Sequence, residues 1–401
     1  MKTLKTSVIL LAFLLAAMAM IPMVSATENV NYTLTSDLSK IPFPQLHFNA
    51  SQKHTMVNSE LDPDPNTQVS DIMQAQVSSQ NAVMSKIPYG SIIYRSNDGI
   101  TTVFETNGNQ LFAADDAKSP KINTPDGLMP ATHVFGLPSG SEIIAWGNIT
   151  YISYQNVLLA KEIEDTTPAS VKPSSAIPGL YDDAHYIEGI DGTPRSSTID
   201  DYITYWTVPT NPQQSYSGLY VYLWNGIQST GNVPNLNVPV LIQPVLQWNV
   251  QAGQWNMASW VVIGGTGYHS NNVGGVASGH VIAGQMSYNP PTATWTILTR
   301  DTSQQGLPTA TYLVTNTLPD SNDQIEVYLE AYTPGVSSYM PGPTPFYTFV
   351  ALDRNFNNCL PSSITVDYNP SSPLWTLLTK NIANSNYWPN TINNPLIFTT
   401  H

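Results

Sequence analysis

Two glutamates and one glutamine are the residues of this sequence whose type and spacing suit chemistry at a carbonyl group. In Gln324-Ile325-Glu326-Val327-Tyr328-Leu329-Glu330-Ala331-Tyr332, a period of two puts Ile325, Val327, Leu329 and Ala331 on one strand face. Gln324, Glu326, Tyr328, Glu330 and Tyr332 share the other. Carboxylates among aromatic rings on a nearly charge-free sheet are candidates for raised pKa values and for acid-base work. Glu326 and Glu330 stand about 13 Å apart along an extended strand. They cannot share one proton, so at most one of them stands at a reacting centre. A solvated strand face would carry the same pattern.

The glutamine lies in Leu241-Ile242-Gln243-Pro244-Val245-Leu246-Gln247-Trp248. Alternation sets Leu241, Gln243, Val245 and Gln247 on one side, and Ile242, Leu246 and Trp248 on the other. Pro244 cannot donate to a ladder, which argues for an edge or a bulge. A carboxamide NH2 can hold a developing oxyanion without competing for protons. A buried, satisfied amide is the equal alternative for Gln243. Other hydrolytic arrangements are missing: there is no G-x-S-x-G elbow and no H-E-x-x-H motif. Cys359 lies in an Asn-rich stretch without a basic neighbour, and as the single cysteine it can form no intrachain disulfide. Asp182, Asp183, His185 and Glu188 read as an exposed acidic turn rather than a cation site.

These residues need a sheet to position them, and the chain reads as strands. Between 202 and 352 the expected segments are 202–208, 219–225, 238–248, 258–263, 279–288, 294–299, 310–315, 324–332 and 347–352, with Gly, Pro and Asn between them. That spacing predicts a sandwich or barrel over 180–401. Shorter alternating runs at 91–94, 101–104, 142–146 and 149–154, with a turn at Asn107-Gly108, predict a small β module at 86–165. Residues 166–179, with Pro168, Pro173 and Pro178, read as an exposed linker. Residues 27 to about 80 read as an irregular arm.

Charge and targeting bound the partners. The net charge is -14 with 10% charged residues, and 202–299 contains no Asp or Glu. Nucleic acid is excluded, since it demands clustered Lys and Arg. An acid-tolerant surface and a plain Thr/Asn/Ser-rich β surface both explain the charge-free stretch. Lys2, Lys5, the apolar run Val8–Ala19 and Val24-Ser25-Ala26 form a signal peptide over 1–26, which implies a secreted or cell-surface protein. No other segment is apolar enough to cross a bilayer. Asn31, Asn49 and Asn148 begin N-x-[ST] sequons.

Several short segments resemble, in order, the glutamic peptidases (eqolisins). They are Tyr205-Trp206-Thr207-Val208-Pro209, Tyr222-Leu223-Trp224-Asn225-Gly226-Ile227, the Gln243 strand, Ala258-Ser259-Trp260, Ser278-Gly279-His280-Val281-Ile282-Ala283-Gly284 and Tyr328-Leu329-Glu330-Ala331-Tyr332. The resemblance covers about 200–350. It implies a lectin-like (concanavalin-like) antiparallel β-sandwich, an N-terminal prosegment over 27–165, and a secreted endopeptidase acting on polypeptides without cofactor or metal. Carried over by position, it implies Gln243 and Glu330 as the catalytic pair, with Glu330 the base and Gln243 the oxyanion donor. Glu326, Trp206, Trp248, Trp260 and Tyr328 are implied as supporting or cleft residues. The sequence departs from the family at Trp260-Val261-Val262-Ile263, where an acidic residue is expected, and at Gly279-His280, where the family has Gly-Asp. The alternative is a non-catalytic sandwich for glycans or the cell envelope, with Trp206, Trp224, Trp248, Trp255 and Trp260 as stacking surfaces.

Overall fold

A computed structural model describes residues 69–75, 86–165, 180–187, 199–213, 219–229, 232–233, 235–250, 252–303, 310–318, 323–332, 340–353, 355, 365–368, 375–377 and 396–400. The signal peptide, the linker, Asn31, Asn49, Glu188 and Cys359 lie outside the described residues, as do the side chains of Asp182, Asp183 and His185. Everything described belongs to the unit Leu46–His401.

The strands of the first half are β1 (Val69–Ala75), β2 (Lys86–Pro88), β3 (Ser91–Arg95), β4 (Ile100–Phe104), β5 (Gln110–Asp115), β6 (Lys121–Thr124), β7 (Gly127–Pro130), β8 (Val134–Leu137), β9 (Ser141–Trp146), β10 (Ile149–Tyr154), β11 (Val157–Glu164) and β12 (Leu180–Ile187). Those that follow are β13 (Asp201–Thr207), β14 (Tyr220–Ser229), β15 (Val240–Asn249), β16 (Gln254–Ile263), β17 (Thr266–Ser270), β18 (Val273–Val276), β19 (Val281–Asn289), β20 (Thr294–Asp301), β21 (Ala310–Thr315), β22 (Asp323–Tyr332), β23 (Thr344–Leu352), β24 (Thr365–Tyr368), β25 (Trp375–Leu377) and β26 (Leu396–Thr400). Among the described residues, a 3-10 turn at Ala131–His133 is the helical element. The protein is all-β, and each segment expected between 202 and 352 contains a strand. The Asn107-Gly108 turn closes the β4–β5 hairpin, with Gly108 at φ +89° and its N–H donating to the Glu105 carbonyl at 2.9 Å.

Two large sheets face each other. One runs β2-β1-β8-β17-β16-β15-β14-β22-β12-β24, with β18 also on β16. The other runs β25-β26-β23-β13-β19-β20-β21-β9-β10-β11-β3-β4-β5. The core between them includes Trp206, Trp248, Trp255, Trp295, Ile242 and Leu329. Burial tells the two outer faces apart. In β19 and β20 buried residues alternate with half-buried ones, as on a sheet with one open face. In β14, β15 and β16 nearly every residue is buried. The outer face of that sheet is therefore covered too.

Among the described strands after residue 180 every pairing with one another is antiparallel, as expected for the sandwich, but strands before residue 165 join the same sheets and make them mixed. Parallel pairs join β3 to β11, β8 to β17 and β9 to β21. The last two unite strands before residue 165 with strands after 260, so the front β segment shares both sheets with the rest. Side-chain alternation is the same in parallel and antiparallel strands, which is why local pattern does not reveal such long-range pairing.

Candidate functional site

Strand register assembles one row of side chains on the covered outer face. Gln243 of β15 faces Trp260 of β16, and Trp260 faces His269 of β17. On the other side, the pairs Trp224↔Val245 and Ile227↔Ile242 bring Gly226 of β14 across from Gln243. Gly226 in turn faces Glu326 of β22. Directly opposed residues share a sheet face, so the row reads His269, Trp260, Gln243, Gly226, Glu326. Gln243 and Glu326 are two strand spacings apart, about 10 Å between Cα atoms. Glu330 belongs to another row, facing Tyr222, which faces Gln247. That row lies about 13 Å along the strands. The register thus brings Glu326 together with Gln243, and Glu330 with Tyr222.

Gly226 is required by its neighbour. A Cβ there would stand 2.7 Å from Cζ3 of Trp224. The indole lies over the glycine, between Gln243 and Glu326, and stacks on Tyr328 at 4.3 Å and 10°. Tyr222, Trp224, Leu241, Val245, Trp260 and Val262 make this face a second apolar cluster, distinct from the inter-sheet core.

Polar groups are left unmatched within that cluster. Gln243 and Glu326 are both fully buried, and Glu330 is half-buried. Among the described residues, neither Nε2 nor Oε1 of Gln243 has a hydrogen-bond partner, and the same holds for Nε1 of Trp224 and Trp260 and Nε2 of His269. Each unmade bond at a buried polar group costs about 1–3 kcal/mol. A glutamine kept only for structure would be bonded at both ends. His269 lies at 2.8 Å from the Ser270 carbonyl through Nδ1 and stacks on Trp260 at 4.7 Å. Burial pulls its pKa down to about 4, so the neutral ring donates from Nδ1 and leaves Nε2 as an acceptor.

The row is braced from behind. The Tyr202 hydroxyl donates to the Glu326 carbonyl at 3.3 Å across the core, and Asn225 Nδ2 donates to the Gly284 carbonyl at 3.2 Å. In front lies the β6–β7 hairpin, whose strands pair, among the described residues, only with each other. Ile122 and Met129 are directly opposite in it, and both are buried in the cluster of Trp224 and Trp260. The Tyr222 hydroxyl donates to the Asn123 carbonyl at 2.7 Å. Behind the hairpin, Thr132 Oγ1 donates to Asp116 at 2.6 Å, and His133 Nε2 lies 3.0 Å from the same carboxylate. Burial pushes Asp116 up, but the His133 bond and the Arg95 charge outweigh it and hold the carboxyl below its ordinary range. Arg95 also donates to the Thr132 carbonyl and pairs with Glu162, which accepts from Tyr268.

Two of the aromatic residues expected at the cleft are elsewhere. Trp206 stacks on Phe346 at 5.3 Å, and Trp248 meets Trp255 edge-on, all within the inter-sheet core. Trp248 has the parity opposite to Gln243 on β15, and Trp206 belongs to β13 of the other sheet. None of Trp206, Trp224, Trp248, Trp255 and Trp260 is more than 5% exposed, so none offers a stacking surface to a glycan here. His269, Gly226 and the covering hairpin were not singled out by the sequence; the short polar segment from Lys121 to Pro130 shows no marked alternation. No protein-family model matches this sequence, and no curated protein matches it significantly, so the geometry of the site itself carries the functional reading.

Proposed function

We propose that the protein is an exported endopeptidase of the glutamic type, with Gln243 as oxyanion donor and a β22 glutamate as general acid-base. The observation that supports it is the Gln243 carboxamide, fully buried with both ends unpartnered, one glycine away from a buried glutamate. A preorganised donor that makes no ground-state bond is what transition-state stabilisation calls for. In this reading the carboxylate takes a proton from water as the water oxygen bonds to the scissile carbon. The carbonyl oxygen becomes an oxyanion held by Gln243 Nε2. The glutamate then returns the proton to the amide nitrogen as the C–N bond breaks, which restores the carboxylate.

The resemblance assigns the base to Glu330, whereas the register favours Glu326. The test is a peptide-library digest from pH 2 to 7 with Gln243→Ala, Glu326→Gln and Glu330→Gln. Loss of about 100-fold or more in the Gln243 and Glu326 variants, with Glu330→Gln retaining activity, is the expected result. Loss in Glu330→Gln alone among the glutamates returns the role to Glu330. Absence of cleavage in every form, including one with the hairpin displaced, rules out the peptidase reading.

A further inference from the structure

The hairpin over the site shows what kind of molecule this face accepts. Ile122 is 4% exposed and Met129 2%, and being opposite each other they project together onto the sheet. Met129 fits a particular feature: its Sδ would lie 3.4 Å from a Cβ placed on Gly267, with Trp260 Cζ3 at 3.2 Å from the same point. The missing side chain at Gly267 thus forms the floor of a socket walled by the Trp260 ring. A third contact is to backbone, where the Tyr222 hydroxyl donates to the Asn123 carbonyl. Two apolar side chains and one peptide carbonyl are features of polypeptide as a class. Among the described residues the hairpin has no strand pairing with either large sheet. Side-chain packing on this face and a base closed by Ala131 N–H to the Pro120 carbonyl, at 2.7 Å, hold it in place.

We propose that this face is a polypeptide-binding surface whose resident occupant is the β6–β7 hairpin. A second polypeptide takes the same three subsites once the hairpin is displaced: an aliphatic or Met side chain at Gly267–Trp260, a second aliphatic side chain at the Ile122 position, and a backbone carbonyl at Tyr222. Gly267 and Tyr222 are then the residues that set preference. The inference rests on the peptidase reading for what happens to the bound polypeptide, but not for binding itself.

The test reads binding rather than cleavage. In the full chain, Ile122→Asp with Met129→Asp places two charges against the apolar cluster, and Met129→Ala provides a milder opening should the double variant fail to fold. A fluorescein-labelled peptide of residues 119–131 is titrated into each variant and the native chain, with acrylamide quenching of tryptophan read in parallel. The expected result is peptide binding and increased quenching in the opened chain, with at least tenfold weaker binding by the native chain. Adding Gly267→Ala, or using a peptide with Met129→Gly, weakens binding to the opened chain about tenfold. A folded, newly quenchable chain that does not bind the peptide overturns the proposal, as does one whose binding ignores Gly267, or a folded variant with no new quenching. Binding without cleavage at any pH leaves this inference standing and removes the peptidase reading.

Discussion

At Gln243 the stability and the proposed chemistry make opposite demands. Its amide is buried and unbonded at both ends, so removing it should relieve a cost rather than break a contact. Gln243→Leu is expected to leave the urea midpoint unchanged or to raise stability by about 1 kcal/mol, while abolishing cleavage. A loss above about 2 kcal/mol would mark the amide as a bonded structural group. His269 gives the pH counterpart. Its folded pKa of about 4 lies below the unfolded value near 6.5, so the unfolded chain binds more protons between these pH values. Its contribution is complete above pH 6.5 and declines by about 3 kcal/mol as pH falls to 4. His269→Phe should flatten that part of a stability-against-pH curve measured by urea unfolding.

At the scale of elements, the packing of β14 against β22 depends on the glycine between Gln243 and Glu326. Gly226→Ala would push a methyl group into the Trp224 ring and force the indole off Tyr328. A loss of about 1–3 kcal/mol is expected, read as a lower melting temperature and a change in near-ultraviolet circular dichroism. The hairpin has its own pH dependence through Asp126 in its turn, whose carboxyl burial pushes up to about 7. Here the folded state binds more protons than the unfolded one between pH 4 and 7, so docking is tightest in acid and loosens as pH rises through that window. Tryptophan quenching should increase over this range in the native chain and lose that dependence in Asp126→Asn.

At the scale of the molecule, the parallel pairs β8·β17 and β9·β21 make the front segment part of both sheets. The Arg95–Glu162–Tyr268 set ties two of its strands, β3 and β11, to β17 in one buried network. Cleavage in 166–179 should therefore yield two pieces that co-elute on size exclusion and separate only in denaturant. Release of the front piece under native conditions would show that the shared sheets are dispensable. Arg95→Met should destabilise the whole molecule by about 3–5 kcal/mol, because Glu162 would be left buried without its cation.

Alternation by itself determined the all-β class, the strands between 202 and 352 other than β17 and β18, and the face that each of Gln243, Glu326 and Glu330 occupies, because parity is a local property of an extended chain. It also set Trp248 apart from that face, whereas the place of Trp206 followed from β13 lying in the other sheet. Which glutamate meets Gln243 was beyond it: a shift of register by four residues preserves every parity and exchanges Glu326 for Glu330. Only the pairing of β22 with β14, and of β14 with β15, decided that. The cover was likewise a tertiary fact, since Ile122 and Met129 acquire their meaning from Gly267, Trp260 and Tyr222, residues about a hundred or more positions away. Sequence carries the chemistry of each side chain and its face; distance between side chains exists only once the sheets have chosen their order.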